Sequence, residues 1–136
     1  MKTDSAEELI ELGREFGAKL NGGEVIELVG DVGAGKTTFT SGIAQGLGVD
    51  DVISSPSFVV MNSYFGRDGL VLNHYDFYRL DDPGIMKQEI AESLADPKNI
   101  TVVEWGESIH DVLPDDRQMV EIKYLPDSSA REVGIQ

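Results

Sequence analysis

Eight consecutive residues constrain this chain more than any others: Gly30-Asp31-Val32-Gly33-Ala34-Gly35-Lys36-Thr37. They fit the pattern G-x-x-x-x-G-K-[ST], a loop whose backbone N–H groups curl inward around an anion. A side chain at Gly30 or Gly35 would block that approach or resist the required backbone angles. The Lys36 ammonium can reach the outer phosphates of a nucleoside triphosphate, and the Thr37 hydroxyl can take one place on Mg²⁺. The pattern has meaning only between a strand and a helix. Glu24-Val25-Ile26-Glu27-Leu28-Val29 is an apolar, β-branched run directly before it, and Phe39, Ile43 and Leu47 follow on one helix face. The helix that starts at Gly35 or Lys36 points its positive dipole end at the same phosphates.

The 136 residues suffice for one domain with a real core, but not two, so residues 1–136 are read as a single unit. No apolar run approaches the roughly 18 residues that span a membrane. Met1-Lys2-Thr3-Asp4-Ser5 leads into an acidic helix and not into an apolar secretory segment. The absence of cysteine excludes disulfides and Cys-based zinc sites, and it fits a reducing cytoplasm. A net charge of −14 repels phosphate backbones, so independent nucleic-acid binding is not expected. That acidity either keeps the chain soluble or attracts a basic protein partner.

Ser5-Ala6-Glu7-Glu8 reads as a capping box, with Leu9, Leu12, Phe16 and Leu20 at helical spacing and Asn21-Gly22-Gly23 as the stop. A strand over 24–29 and the loop helix over 35–47 follow. Asp51-Val52-Ile53 suggests a short strand. Ser57 to Phe65 and Leu70 to Tyr75, joined by Gly66-Arg67-Asp68-Gly69, read as an antiparallel hairpin. Asp81-Asp82-Pro83 caps a helix to about Leu94, on which Ile85, Ile90 and Leu94 pack. Ile100-Thr101-Val102-Val103 is a short buried strand, and Ser108 to Leu113 a helical turn. Gln118 to Leu125 alternates as a further strand, and Arg131 to Gln136 reads as a last edge strand. This order predicts an α/β fold: a three-layer sandwich of P-loop type, with a largely parallel central sheet and an antiparallel hairpin.

Hydrolysis needs a positioned metal and an oriented water besides the loop. Acids at the carboxyl ends of buried strands are the usual source. Two stand in such places: Glu104 after Ile100-Val103, and Asp76 after Leu70-Tyr75. Either can hold Mg²⁺ while the other orients water, or each can simply cap the next segment. His74 is either a backbone-bonded core histidine or a group that places Asp76 or senses phosphate. Arg79 is a surface cation or a phosphate or partner contact. Trp105 packs in the core or lies against the nucleotide or over the loop. Ser57, beside Pro56, is either an ST-turn residue or a hydroxyl that feels the γ-phosphate.

Taken together, the motifs resemble one family, the bacterial TsaE (YjeE) ATPase of tRNA threonylcarbamoyladenosine biosynthesis. They run in order through Gly30 to Phe39, Gly46-Leu47-Gly48, Ser55-Pro56-Ser57-Phe58, His74-Tyr75-Asp76-Phe77-Tyr78-Arg79-Leu80 and Val103-Glu104-Trp105-Gly106-Glu107. The resemblance covers about residues 5–107. It implies a small cytoplasmic ATPase that uses ATP and Mg²⁺. The implied partners are the threonylcarbamoyltransferase subunit TsaD and its paralogue TsaB, with tRNA touched only indirectly and no membrane involved. ATP turnover would reset that complex and not itself make the modification at adenosine 37. By position, Thr37 and Glu104 would hold the metal. Lys36 and the loop, Asp31, Val32, Gly33, Ala34, Gly35, Thr37 and Thr38, would hold phosphates. Asp76 would be linked to water activation, which makes Asp76, Lys36 and Glu104 the catalytic set. Ser57 would be the switch hydroxyl, standing where the family usually has Thr, and Trp105 would lie near the nucleotide. Glu89 to Leu94 lacks the Gly-Leu-Glu signature usual in that helix.

Three other readings compete. A GTPase would carry Asn-Lys-x-Asp, but the nearest string, Asn73-His74-Tyr75-Asp76, lacks the Lys and lies too close to the loop. A small-molecule kinase would need a lid and several arginines to enclose two substrates, and this chain has five scattered ones. A regulatory subunit would bind nucleotide without turnover, and phosphate release with the partners present would tell it apart.

Overall fold

Alternation of buried β-branched residues and helical spacing of leucines are realised as seven strands and three α-helices among the described residues. The computed structural model describes residues 1–31, 33–50, 53, 61–77, 84–125 and 130–136, the side chains of residues 85 and 86 excepted. The elements are β1 (Lys2–Thr3), α1 (Ala6–Ala18), β2 (Val25–Val29), α2 (Lys36–Gly46), β3 (Met61–Phe65), β4 (Val71–Asp76), α3 (Ile85–Leu94), β5 (Asn99–Glu104), β6 (Gln118–Tyr124) and β7 (Arg131–Ile135). Short 3₁₀ turns fill Arg67–Gly69 and Gly106–Ile109. The strand order is β1-β7-β6-β2-β5-β4-β3. Pairings β6–β2, β2–β5 and β5–β4 are parallel, while β1–β7, β7–β6 and β4–β3 are antiparallel. The centre is thus the expected parallel sheet, and β3–β4 is the expected hairpin.

Because side chains alternate along a strand, the sheet buries two faces. Ile26, Leu28, Leu72, Ile100, Val102 and Ile122 pack against α1 and α2. On the other face, Val25, Tyr75 and Val103 meet Ile90 of α3, Ile109 and Leu113. Those two clusters are the interfaces of a three-layer sandwich.

Ser5 caps α1 as expected, its Oγ accepting from the Glu8 N–H at 3.1 Å. The Glu8 carboxylate reaches back one residue further than a standard capping box, to the Asp4 N–H. The expected edge strand at the C-terminus is corrected by the fold. β7 is covered by β1, with Lys2 opposite Glu132 and Thr3 opposite Arg131. Two residues are too few to show a periodicity, so β1 was invisible to pattern reading. The helical turn expected from Ser108 starts earlier, as the 3₁₀ turn at Gly106. Of the expected strand Asp51-Val52-Ile53 only Ile53 is described, and it lies in no strand; residues 57–60 of the next expected strand, the cap residues Asp81, Asp82 and Pro83, and the Ile85 side chain lie outside the described residues.

Helices α1 and α2 approach closely because each carries two glycines four residues apart, Gly13 and Gly17 against Gly42 and Gly46. A Cβ at Gly17 would stand 2.3 Å from the Ile43 carbonyl oxygen, and one at Gly42 would stand 2.2 Å from that of Ile10. Backbone cannot yield as a side chain does. In an exposed helix Gly→Ala gains up to about 1 kcal/mol. Here Gly17→Ala is expected to cost about 2 kcal/mol through overpacking, read as a lower melting temperature. An unchanged or higher one would mean that the helices are not so tightly apposed. This packing matters for the site, because α2 begins at the loop lysine.

Candidate functional site

The glycine loop joins β2 to α2. Its turn is closed by the Ala34 N–H donating to the Asp31 carbonyl at 3.0 Å. Gly33 (φ 79°) and Gly35 (φ 117°) hold left-handed backbone that an L side chain rarely adopts. Gly35 is the N-cap of α2 and brings no capping side chain to the helix start, where the helix dipole favours an anion. Thr37 and Thr38 are half-buried in the first turn.

Lys36 is buried, with 5% of its surface exposed. Its ammonium donates to the Gly30 carbonyl at 2.5 Å and lies 3.9 Å from the centre of the Trp105 ring. Burial pushes its pKa below the ordinary lysine value, against the pull of the Glu104, Asp76, Asp31 and Glu107 carboxylates. Trp105 adopts left-handed backbone (φ 57°, ψ 48°), a conformation that costs a bulky residue strain. That bend directly after Glu104 brings its ring over the loop lysine. Core packing and loop contact are therefore combined: the ring also packs against the Val103 and Ile109 cluster.

Asp76 and Glu104 are register partners across β4 and β5. Alternation puts both on the face of Leu72, Ile100 and Val102, the face that α2 covers. Glu104 is 3% exposed, and its Oε2 is 2.5 Å from Nε2 of the fully buried His74. His74 thus bonds Glu104, neither Asp76 nor backbone. Its Nδ1 is buried with no hydrogen-bond partner among the described residues. No group of three or more His, Cys, Asp or Glu able to hold a metal occurs among the described residues. A hard divalent cation held by a strand-end carboxylate and the Thr37 hydroxyl would have to complete its shell from phosphate and water.

The wall on the other side of the loop comes from a part of the chain with no recognised motif. β6 runs parallel to β2, with Leu28 opposite Val120 and Val29 opposite Glu121, so its carboxyl end opens beside the loop. Arg131 at the start of β7 donates from Nε to the Ala34 carbonyl at 2.9 Å. A cleft of about 440 Å³ lies between the walls, lined among others by Asp31, Lys36, Trp105, Glu107, Lys123 and Tyr124. That is within the roughly 300–1,000 Å³ of small-molecule sites. The one available signal for these residues was their place at the carboxyl end of a strand, where ligands of such sheets gather.

On the opposite face, Glu27 supports the site from below. Its Oε1 accepts from Arg117 Nε at 2.8 Å, and its Oε2 lies 2.7 Å from His110 Nε2. Burial alone would raise its pKa, but the bonds from Arg117 and His110 outweigh it and leave the carboxyl below the ordinary value. A carboxyl lowered by folding adds stability above its unfolded pKa and loses it as pH falls through the folded one. Glu27→Gln should therefore cost about 2 kcal/mol at neutral pH and flatten the loss of stability on acidification below the carboxylate range. Denaturant titrations from neutral to acid pH would check both, and parallel curves for the two proteins would contradict the assignment.

Val32 and Ser57, expected at the site, and Arg79, read as either a surface cation or a phosphate or partner contact, lie outside the described residues. Lys36, Glu104, Asp76 and Trp105 come together. No helix among the described residues is long and apolar enough to cross a membrane.

Three comparisons bear on identity. The family profile described as "Threonylcarbamoyl adenosine biosynthesis protein TsaE" matches residues 3–133. The tRNA threonylcarbamoyladenosine biosynthesis protein TsaE of Bacillus subtilis is 34% identical over 134 residues, covering 97% of this chain and 81% of that protein. Its counterpart from Streptomyces coelicolor is 39% identical over 127 residues, covering 90% and 84%. Among solved structures, the crystal structure of Bacillus subtilis YdiB superposes with a TM-score of 0.77 at 33% identity, over 98% of this chain and 80% of that one.

Proposed function

The chain belongs to the TsaE family of tRNA threonylcarbamoyladenosine biosynthesis, and from that premise we propose that it is a cytoplasmic, Mg²⁺-dependent ATPase. It binds ATP on the glycine loop and hydrolyses it to ADP and phosphate in support of a TsaD–TsaB transferase complex. The observation that carries this reading is the buried Lys36 ammonium, flanked by Gly30, Trp105 and a paired Asp76 and Glu104.

Each residue then has a task. The backbone N–H groups from Asp31 to Thr38 surround the phosphates. Lys36, whose charge burial disfavours, meets the negative charge that restores it. Thr37 and Glu104 hold Mg²⁺, with the Glu104 carboxylate kept in one orientation by His74. Held there, Mg²⁺ would supply positive charge against the negative charge that develops on the phosphates. Asp76, across the strand pair from Glu104, orients the attacking water and accepts its proton. Ser57 is assigned the γ-phosphate contact from its place in the sequence.

Phosphate release from ATP, measured alone and with TsaD and TsaB added, tests the whole reading. Slow release alone and a rise of at least about tenfold with both partners is the expected result, since a partner that completes such a site commonly supplies more than that. Tight ATP binding with no release under either condition would leave a nucleotide-binding regulatory subunit.

A further inference from the structure

Beyond the phosphate loop, the cleft has one aromatic wall that the motifs leave without a role. Tyr124 ends β6, lines the cleft and is 48% exposed. Its hydroxyl lies 2.7 Å from the point where a Cβ at Gly33 would be, so the ring leans over the loop. A Cβ at Gly33 would meet only the far end of that side chain, which can shift, so the demand for glycine there comes from φ 79°. The Arg131 guanidinium carbon lies 4.3 Å from the centre of the same ring. Its Nε meanwhile holds the Ala34 carbonyl. One arginine therefore ties ring and loop into a fixed relation.

Trp105 stands against Lys36, on the side of the outer phosphates and the acids. Tyr124 stands on the side of β6, away from Asp76 and Glu104, which lie on the strands across β2. A triphosphate whose outer end points to the acids leaves its nucleoside end on the Tyr124 side.

We propose that the β6–β7 end of the sheet supplies the nucleoside half of the site, with the Tyr124 ring as the surface against which the base or ribose lies and Arg131 as the residue that holds it there. This rests on the reading of the loop as a nucleoside-triphosphate site. A flat ring reads another ring by stacking and apolar contact, which is tolerant of base identity. Inorganic triphosphate, which has no nucleoside, should not sense it.

Calorimetric titration of the full chain with ATP and with inorganic tripolyphosphate, each with Mg²⁺, separates the cases. Tyr124→Ala should weaken ATP about tenfold and leave tripolyphosphate within about twofold. Tyr124→Phe, which keeps the ring and loses only the hydroxyl, should bind both ligands as the unaltered chain does and guards against a folding defect. Arg131→Ala should weaken ATP more than tripolyphosphate. Equal losses for the two ligands in Tyr124→Ala would mean that the ring only props the loop, and no loss for either would mean that it faces nothing. Each result overturns the proposal, as does Tyr124→Phe behaving like Tyr124→Ala. An unaltered chain that binds neither ligand would instead remove the nucleotide reading beneath it, an outcome distinct from the other three.

Discussion

Replacing Lys36 by alanine is expected to weaken Mg²⁺–ATP binding by about a hundredfold, the equivalent of about 3 kcal/mol. The size follows from where the ammonium stands. It is almost wholly buried, and four carboxylates surround it: Glu104, Asp76, Asp31 and Glu107. An exposed lysine beside a phosphate would matter little, because water screens it. A buried one acts at low dielectric, and its loss also leaves the carboxylates unbalanced against the incoming phosphates. The two effects add in the same direction. Equilibrium titration with ATP reads the change directly. Unchanged affinity would refute the location of the site, whatever the family.

Asp76→Asn is expected to leave ATP affinity within a few fold and to slow hydrolysis by at least about a hundredfold, the range in which a positioned general base acts. Asparagine keeps the shape and a hydrogen-bonding oxygen but cannot take a proton. Register pairing with Glu104 makes the experiment informative in a second way. Both acids lie on the same face of adjacent strands, and the Glu104 carboxylate is held by the buried His74 imidazole. In the proposed roles Glu104 holds the metal and Asp76 the water. Single-turnover phosphate release across a range of Mg²⁺ concentrations tells them apart. If Asp76→Asn raises the Mg²⁺ needed and leaves the rate at saturation intact, Asp76 holds the metal and the roles are exchanged.

The local parts of this site were legible in the residues. A glycine loop between a β-branched run and a helix-spaced run carries its own conformational signal, because its turn hydrogen bond and left-handed angles are short-range. β2, α2 and the β3–β4 hairpin follow from the same kind of evidence. The two strand-end acids were visible as well. That they face one another was not, since register between β4 and β5 is set by packing between segments some 30 residues apart. His74 shows the same limit. Its readings in sequence were a backbone bond or a place beside Asp76 or phosphate, and its imidazole meets Glu104 of the next strand.

Two features had almost no signature in one dimension. Glycines at positions 13, 17, 42 and 46 read as weak helix positions until α1 and α2 are brought into backbone contact, where only glycine fits. The last strands looked like a generic tail, with β7 as the edge. In the fold, β1 closes that edge, while Tyr124 and Arg131 reach the loop from nearly a hundred residues away. The chain by itself determined the glycine loop, its left-handed turns and the lysine beside it, because those are matters of local angle and charge. Only the tertiary structure decided which strand ends meet around that cradle, because strand order and register come from burying two faces of a single sheet at once, a condition that no stretch of sequence meets alone.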